Sequence, residues 1–589
     1  MRMVPMAAAI PLLSSILLLS STVFPTSARA DADAARRAVP ADLIMTNGQI
    51  KTASGWSQAL AIRAGIIAAV GSTAQIGAWR GDKTRILDLH GATVLPGLHD
   101  VHVHPVFAGI SAKECSIPQG SSLPTTLDIV KACADRAGPG QWVTGGQWDA
   151  PALGRAPDRA MLDGVAPDTP VLLWDTSAHS LWANSKALQL IGISKDTPNP
   201  PAGIIERDAS GRPTGVLREA ATDMAEKHVP KHTEKEARAA LAWSLDEMLS
   251  YGITSFTEAA VGFSTGVQNE LDAYTALADA GVLKQRVRLC LVWTPGDQES
   301  EAVIASRNFF ARARLSPDCV KIFLDGVPTD SHTAAMLEPY QGGVAGRDDA
   351  ASRMGLLLVP QEVLSRAVTR FDRMGLTVKF HAAGDAAVRE GLNAIEAARK
   401  ANGFSPQMHN VGHCTFVAEE DIRRARALQA TFEVSPYLWG PTPINDSITA
   451  AVGDKLIRRV WPVREMLEAG ALVVPGSDWS VVPSVNPWNA LETLVTRERP
   501  GGSRDSFGKG EAISLSQAFD LFTLNSAKQE AMSDRVGRIE TGMLADVIVV
   551  DKNPFQVPVT QVHATQVKMT FIGGEKVFDA AAPASSGAP

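Results

Sequence analysis

Two patterns of apolar and polar positions alternate along most of this chain. Short apolar runs rich in β-branched residues recur at 252–256, 287–293, 320–324, 376–381, Asn410–His413, 429–435 and 471–478. Between several of them the apolar residues fall at helical spacing, as over Glu234–Ser250, 362–374 and 386–399. Strand and helix in alternation predict a parallel α/β architecture. With an extended apolar run ending at 101–104 the strands number eight, the count of a (β/α)8 TIM-like barrel, whose active sites lie at the C-terminal strand ends.

The pattern changes at both ends. Residues 43–50, 59–70, 85–89 and 93–95 read as short strands split by glycine turns, and so do 537–551 and 567–574. Neither group is large enough to bury a core alone, which predicts one small β-sandwich assembled from both chain ends. The expected organisation is therefore residues 31–96 and 531–579 as the two parts of the sandwich, and 97–530 as the barrel. Residues 106–245 break the rhythm. They read as an insertion capping the barrel mouth, with one evident strand (Val171–Asp175) and with Trp142, Trp148, Trp174 and Trp182 serving mainly as its core. The Ala/Ser/Pro/Gly tail 580–589 reads as disordered.

Composition narrows the class. At 589 residues, 45% hydrophobic and 20% charged, the chain is ordinary globular protein. A net charge of -7 without a basic run argues against nucleic acid. Arg2, an apolar run over 6–24 and then Ala28-Arg29-Ala30 read as a secretory signal cleaved after residue 30. No later stretch has the ~20 apolar residues of a membrane span. The expectation is an exported protein, periplasmic or secreted, without stable membrane insertion once the signal is removed. Of the five cysteines, Cys115 and Cys133 are close enough to pair, which sequence alone leaves open.

The candidate chemistry lies at the strand ends. His102 and His104 are two apart on an extended run, so both imidazoles face one side, as a divalent metal requires. His381, His413 and Asp478 end later strands of the set. Any one has an ordinary structural explanation. Together, four imidazoles and a carboxylate suit Zn²⁺ or a similar divalent ion, one or two in number. Lys321 shares its face with Phe323 and Asp325, inside the predicted barrel. There it needs either a salt bridge, with Asp325 or Glu258 as candidates, or removal of its charge, as in an N-carboxylated lysine bridging two metals.

Several segments carry a resemblance. Pro96-Gly97 leading to His102-Val103-His104, Val320-Lys321-Ile322-Phe323-Leu324-Asp325-Gly326, His381-Ala382-Ala383-Gly384-Asp385, Val411-Gly412-His413, Gly476-Ser477-Asp478 and Gly542-Met543-Leu544-Ala545-Asp546 resemble the amidohydrolase superfamily. Ser177-Ala178-His179-Ser180 and Gly211-Arg212-Pro213-Thr214-Gly215 with Glu219 are similar to its YtcJ-like branch, amidohydrolase family 3, which includes N-substituted formamide deformylases. The resemblance implies His102 and His104 on a first metal, His381 and His413 on a second, carboxylated Lys321 between them, and Asp478 as ligand and proton carrier. It departs from the usual wording at His99-Asp100 and at Ser331-His332-Thr333.

The implied activity is hydrolysis of a non-peptide C–N bond, an amide or N-substituted formamide of a small molecule, by hydroxide from a metal-acidified water, with Asp478 as general base. His179 and His332 are the expected substrate contacts. A lactonase or other ester hydrolase on the same site is the alternative, and a non-catalytic exported metal- or ligand-binding protein stands outside the enzyme class. The intact Asp478 speaks against the latter. The only partner the sequence points to is a small-molecule substrate; homo-oligomerisation is left open.

Overall fold

The computed structural model describes residues 39–582 apart from 138–139, 202, 230 and 342–352. The expected signal segment 1–30, the leader 31–38 and residues 583–589 of the tail lie outside the described residues. Ala580 still donates to the Lys568 carbonyl.

Eight parallel strands form the central sheet in the order 8-7-6-5-4-3-2-1. They are β1 (Leu98–Val103), β2 (Ile253–Val261), β3 (Arg286–Val292), β4 (Leu315–Phe323), β5 (Thr377–Ala382), β6 (Asn410–His413), β7 (Thr431–Val434) and β8 (Leu472–Pro475). The sheet closes without a β1–β8 ladder. Past the end of β8, Asp478 N donates to the His102 carbonyl and His104 N donates to the Trp479 carbonyl. Gly476 makes this approach possible, because a Cβ there would stand 2.3 Å from His102 Cβ.

The helices follow from the sequence pattern. Glu234–Ser250 begins with a Thr233/Glu236 capping box and buries Ala237, Ala240, Leu241, Leu245 and Met248. Gln361–Arg373 and Asp385–Asn402 bury one face in the same core. β2 and β4 are longer than the apolar runs that announced them. β2 continues through Glu258 to Val261, where the buried carboxylate broke the apolar pattern without ending the strand.

Both chain ends share one core. A four-stranded sheet holds Leu43–Thr46, Ala59–Arg63, Ile66–Gly71 and Arg85–Asp88. A six-stranded sheet pairs Val547–Val550 antiparallel with Thr93–Pro96, one residue before β1. Leu43, Met45 and Ile62 pack with Val94, Val547 and Phe571 between them. The sandwich thus feeds the chain directly into the strand that carries His102 and His104.

Between β1 and β2 the sequence showed one strand, and the structure has a six-stranded mixed sheet from Cys115–Ser116 to Pro213–Glu219. Its missed strands are very short or glycine-rich, such as Val143–Trp148, and lack β-branched alternation. Residues 234–245 belong to a helix packed on Pro105–Ser111 and β2 rather than to this unit. Trp148 and Trp182 are buried in the insertion, whereas Trp142 and Trp174 are half-buried. Cys115–Cys133 and Cys290–Cys319 are disulfides, and Cys414 is a buried thiol. No helix among the described residues is long and apolar enough to cross a membrane.

Candidate metal centre

The strand alternation aims His102 and His104 to the same side, and the closure described above brings Asp478 to them. Asp478 Oδ1 lies 3.5 Å from His102 Nε2 and 3.4 Å from His104 Nε2. Ligand atoms of these three residues all fall within 4.8 Å of one another. His413 joins them at a tilt, its ring 4.9 Å from that of His102 and its Nδ1 3.9 Å from Asp478 Oδ2. His381 follows, 4.2 Å from the His413 ring. All four predicted histidines and Asp478 therefore form one continuous cluster, tightest at His102, His104 and Asp478.

Three of the four imidazoles have their orientation set from behind. Glu433 Oε1 meets His102 Nδ1. Glu258 Oε1 meets His104 Nδ1 at 3.1 Å, and the Tyr274 hydroxyl donates to the other Glu258 oxygen at 2.9 Å. The Gly326 carbonyl accepts from His381 Nε2 at 3.0 Å, which leaves the Nδ1 lone pair free. His413 Nε2 is buried with no hydrogen-bond partner. Backbone strain gathers here as well. Glu219, His332, His413 and Asp478 all take positive φ, between 50° and 70°, which non-glycine residues seldom adopt.

The electrostatics suit cation binding. Burial, reinforced by nearby lysine and histidine charge, holds His102, His381 and His413 far below the ordinary histidine range, so they are neutral donors. Burial works the same way on His104, but hydrogen bonds to Asp478 and Glu258 overcome it and push this ring up to about 9. Burial would raise Asp478, yet the surrounding imidazoles hold it strongly ionised. A carboxylate, neutral imidazoles, an orphaned buried nitrogen and a proton that a cation would replace form a donor set that fits a divalent ion.

Lys321 corrects one expectation. Asp325 accepts from the backbone of Ala335, Ala383 and Gly384, and Glu258 is taken by His104 and Tyr274, so neither is its partner. Among the described residues Lys321 makes no direct ion pair; its Nζ lies 4.9 Å over the Phe323 ring. Burial and the neighbouring Lys379 lower its pKa to about 8.

The insertion contributes His179, whose ring is 4.9 Å from that of His381. Glu219 holds His179 Nδ1 at 2.9 Å and, against the effect of burial, pushes the ring up to about 9. The other Glu219 oxygen accepts from Thr333 Oγ1. His332 stacks flat on Tyr340 at 4.3 Å. Sequence reasoning missed Glu433 and Lys379 altogether. The available signal was a lone charge inside an apolar, strand-like run, as in Phe432-Glu433-Val434 and Val378-Lys379-Phe380. A cavity of about 660 Å³ lies alongside, lined by Phe107, Trp174, Ala178, Trp243 and Trp479 among others. Ala178 adjoins His179, and Trp479 adjoins Asp478.

Comparison with known proteins agrees with this architecture. The amidohydrolase family pattern matches residues 85–578. The chain is 27% identical to the putative amidohydrolase YtcJ of Bacillus subtilis, covering 89% of this chain and 96% of that one. It is likewise 27% identical to the N-substituted formamide deformylase of Arthrobacter pascens, covering 90% and 97%. A solved structure of an uncharacterized metal-dependent hydrolase from Pyrococcus furiosus superposes with a TM-score of 0.65 at 25% identity, covering 87% of this chain and all of that one.

Proposed function

Starting from the fact that this chain belongs to the amidohydrolase family, we propose that it hydrolyses the C–N bond of a small amide, N-substituted formamides included. The observation that carries the reading is the convergence of His102, His104 and Asp478 donor atoms within 4.8 Å at the barrel mouth. His102, His104 and Asp478 would hold a first divalent ion, zinc by donor type; His381, His413 and Lys321 in carboxylated form would serve a second.

A divalent ion at such a site acidifies water toward neutral pH and polarises a carbonyl. Asp478 takes a proton from the attacking water and returns it to the departing amine nitrogen. His179, backed by Glu219, lies where it can donate to a substrate oxygen beside His381. The adjoining aromatic cavity supports a small-molecule substrate over a polymer. The signal-like N-terminus and two disulfides support export. Cell fractionation with an N-terminal sequence of the mature chain would refute that if the protein stays in the cytoplasm uncleaved.

Matched amide and ester substrates, assayed with metal-stripped and reconstituted protein, test the activity. Release of amine and acid from the amides, by the reconstituted form alone, is expected. Turnover of esters only would make the C–N reading wrong. No turnover together with no uptake of divalent metal would remove the hydrolase reading itself.

A further inference from the structure

The predicted ligand set leaves β7 without a role, yet β7 places a carboxylate at the centre of the barrel. Glu433 is fully buried, and both of its oxygens are engaged. Oε1 meets His102 Nδ1 and Oε2 meets Lys379 Nζ on β5. Gly412 on the intervening strand leaves the space: a Cβ there would be 3.2 Å from Glu433 Oε1.

The chemistry of this contact is directional. A carboxylate only accepts hydrogen bonds, so the His102 hydrogen is on Nδ1 and the lone pair is on Nε2. Nε2 is the nitrogen that faces Asp478 Oδ1. Lys379 Nζ holds the other oxygen, Oε2, and so keeps Oε1 turned toward His102. His104 has a similar brace in Glu258, but the second oxygen there meets only the neutral Tyr274 hydroxyl. Among the described histidines of the cluster, only His102 rests on a carboxylate that is itself paired with a lysine.

We propose that Glu433 and Lys379 are a positioning pair for the metal centre, Glu433 fixing the tautomer and orientation of His102 and Lys379 holding the Glu433 side chain in place. Neither touches substrate or metal; both act through His102. The inference rests on the hydrolase reading above only in assuming a divalent ion at His102.

The test uses the full mature chain and cobalt(II) as the probe, with affinity read by chelator competition and site geometry by the visible spectrum. Three forms are compared: wild type, Glu433→Gln, and the double variant Lys379→Met/Glu433→Leu. Apolar replacement of a buried ion pair commonly preserves the fold, so the double variant should melt near wild type as apoprotein. Both variants should nonetheless bind cobalt about 10- to 100-fold more weakly, with an altered spectrum.

A double variant that folds and binds cobalt as wild type does would overturn the positioning role while leaving the hydrolase reading intact. Wild type that takes up no divalent ion would overturn both. Should the double variant fail to fold, histidine ¹⁵N spectra of the wild-type apoprotein decide the matter: hydrogen on His102 Nδ1 sustains the proposal, and hydrogen on Nε2 refutes it.

Discussion

Lys321 and Lys379 stand opposite each other on β4 and β5, both buried inside the barrel, and only Lys379 has a carboxylate partner. Two adjacent buried ammonium groups are costly, and Glu433 offsets one of them. Lys321 is left as the amine whose charge is most readily given up. Protein prepared with ¹³C-bicarbonate should show a carbamate carbon that disappears in Lys321→Met. Elemental mass spectrometry should find about two divalent ions per chain, fewer in the variant. Unchanged metal content in Lys321→Met would make this lysine structural.

Asp478 is held by its own backbone hydrogen bond to His102, so its side chain can be altered without loosening the fold. Asp478→Asn should lower kcat by roughly 10²- to 10⁴-fold with an unchanged circular dichroism spectrum. Activity close to wild type would remove it from the proton-transfer role.

His179 reaches the site from the insertion, so it should bear on substrate more than on metal. His179→Gln should reduce kcat/KM by about 10²-fold while metal content stays at the wild-type level. Glu219→Gln should do the same to a lesser extent, through loss of the brace on His179 Nδ1. A fall in metal content in step with activity would show His179 to be part of the metal centre instead.

Away from the site, Asp372 joins the helices Gln361–Arg373 and Asp385–Asn402. It accepts from Arg399, His409, Asn402 and Ser405. Burial alone would raise its carboxyl, but these donors hold it well below the usual range. Burial keeps His409 neutral, with its pKa lowered. Both folded-state values lie under the unfolded ones, so the unfolded chain binds more protons and acid destabilises. The loss should begin below pH ~6.5 through His409 and deepen below pH ~4 through Asp372. Asp372→Ala leaves Arg399 buried and unpaired and should cost about 3 kcal/mol; melting curves between pH 3 and 8 would show both effects. An acid profile identical in Asp372→Ala would contradict this account.

Much of the site is legible in the amino-acid sequence. Residues at i and i+2 on a strand must share a face, so His102 and His104 converge by local geometry alone. Strand–helix alternation then places His381, His413 and Asp478 at equivalent ends of one parallel sheet. Helical periodicity marks Glu234–Ser250, which the structure bears out with the same bounds. The insertion's sheet is not legible, because Cys115–Ser116 is too short and Val143–Trp148 too rich in glycine to leave a periodic signal.

What the sequence determined, then, is what depends on near neighbours in the chain: element type, the facing of side chains, and the set of residues able to bind metal. Which charge meets which was decided only in three dimensions. Glu433 lies 331 positions from His102 and 54 from Lys379, and Asp325, which strand alternation places on the same face as Lys321, is instead occupied by backbone amides. Pairings inside a barrel are set by strand register and closure. No local rule carries that information, because the energy of each contact exists only once eight distant segments have been brought to the same axis.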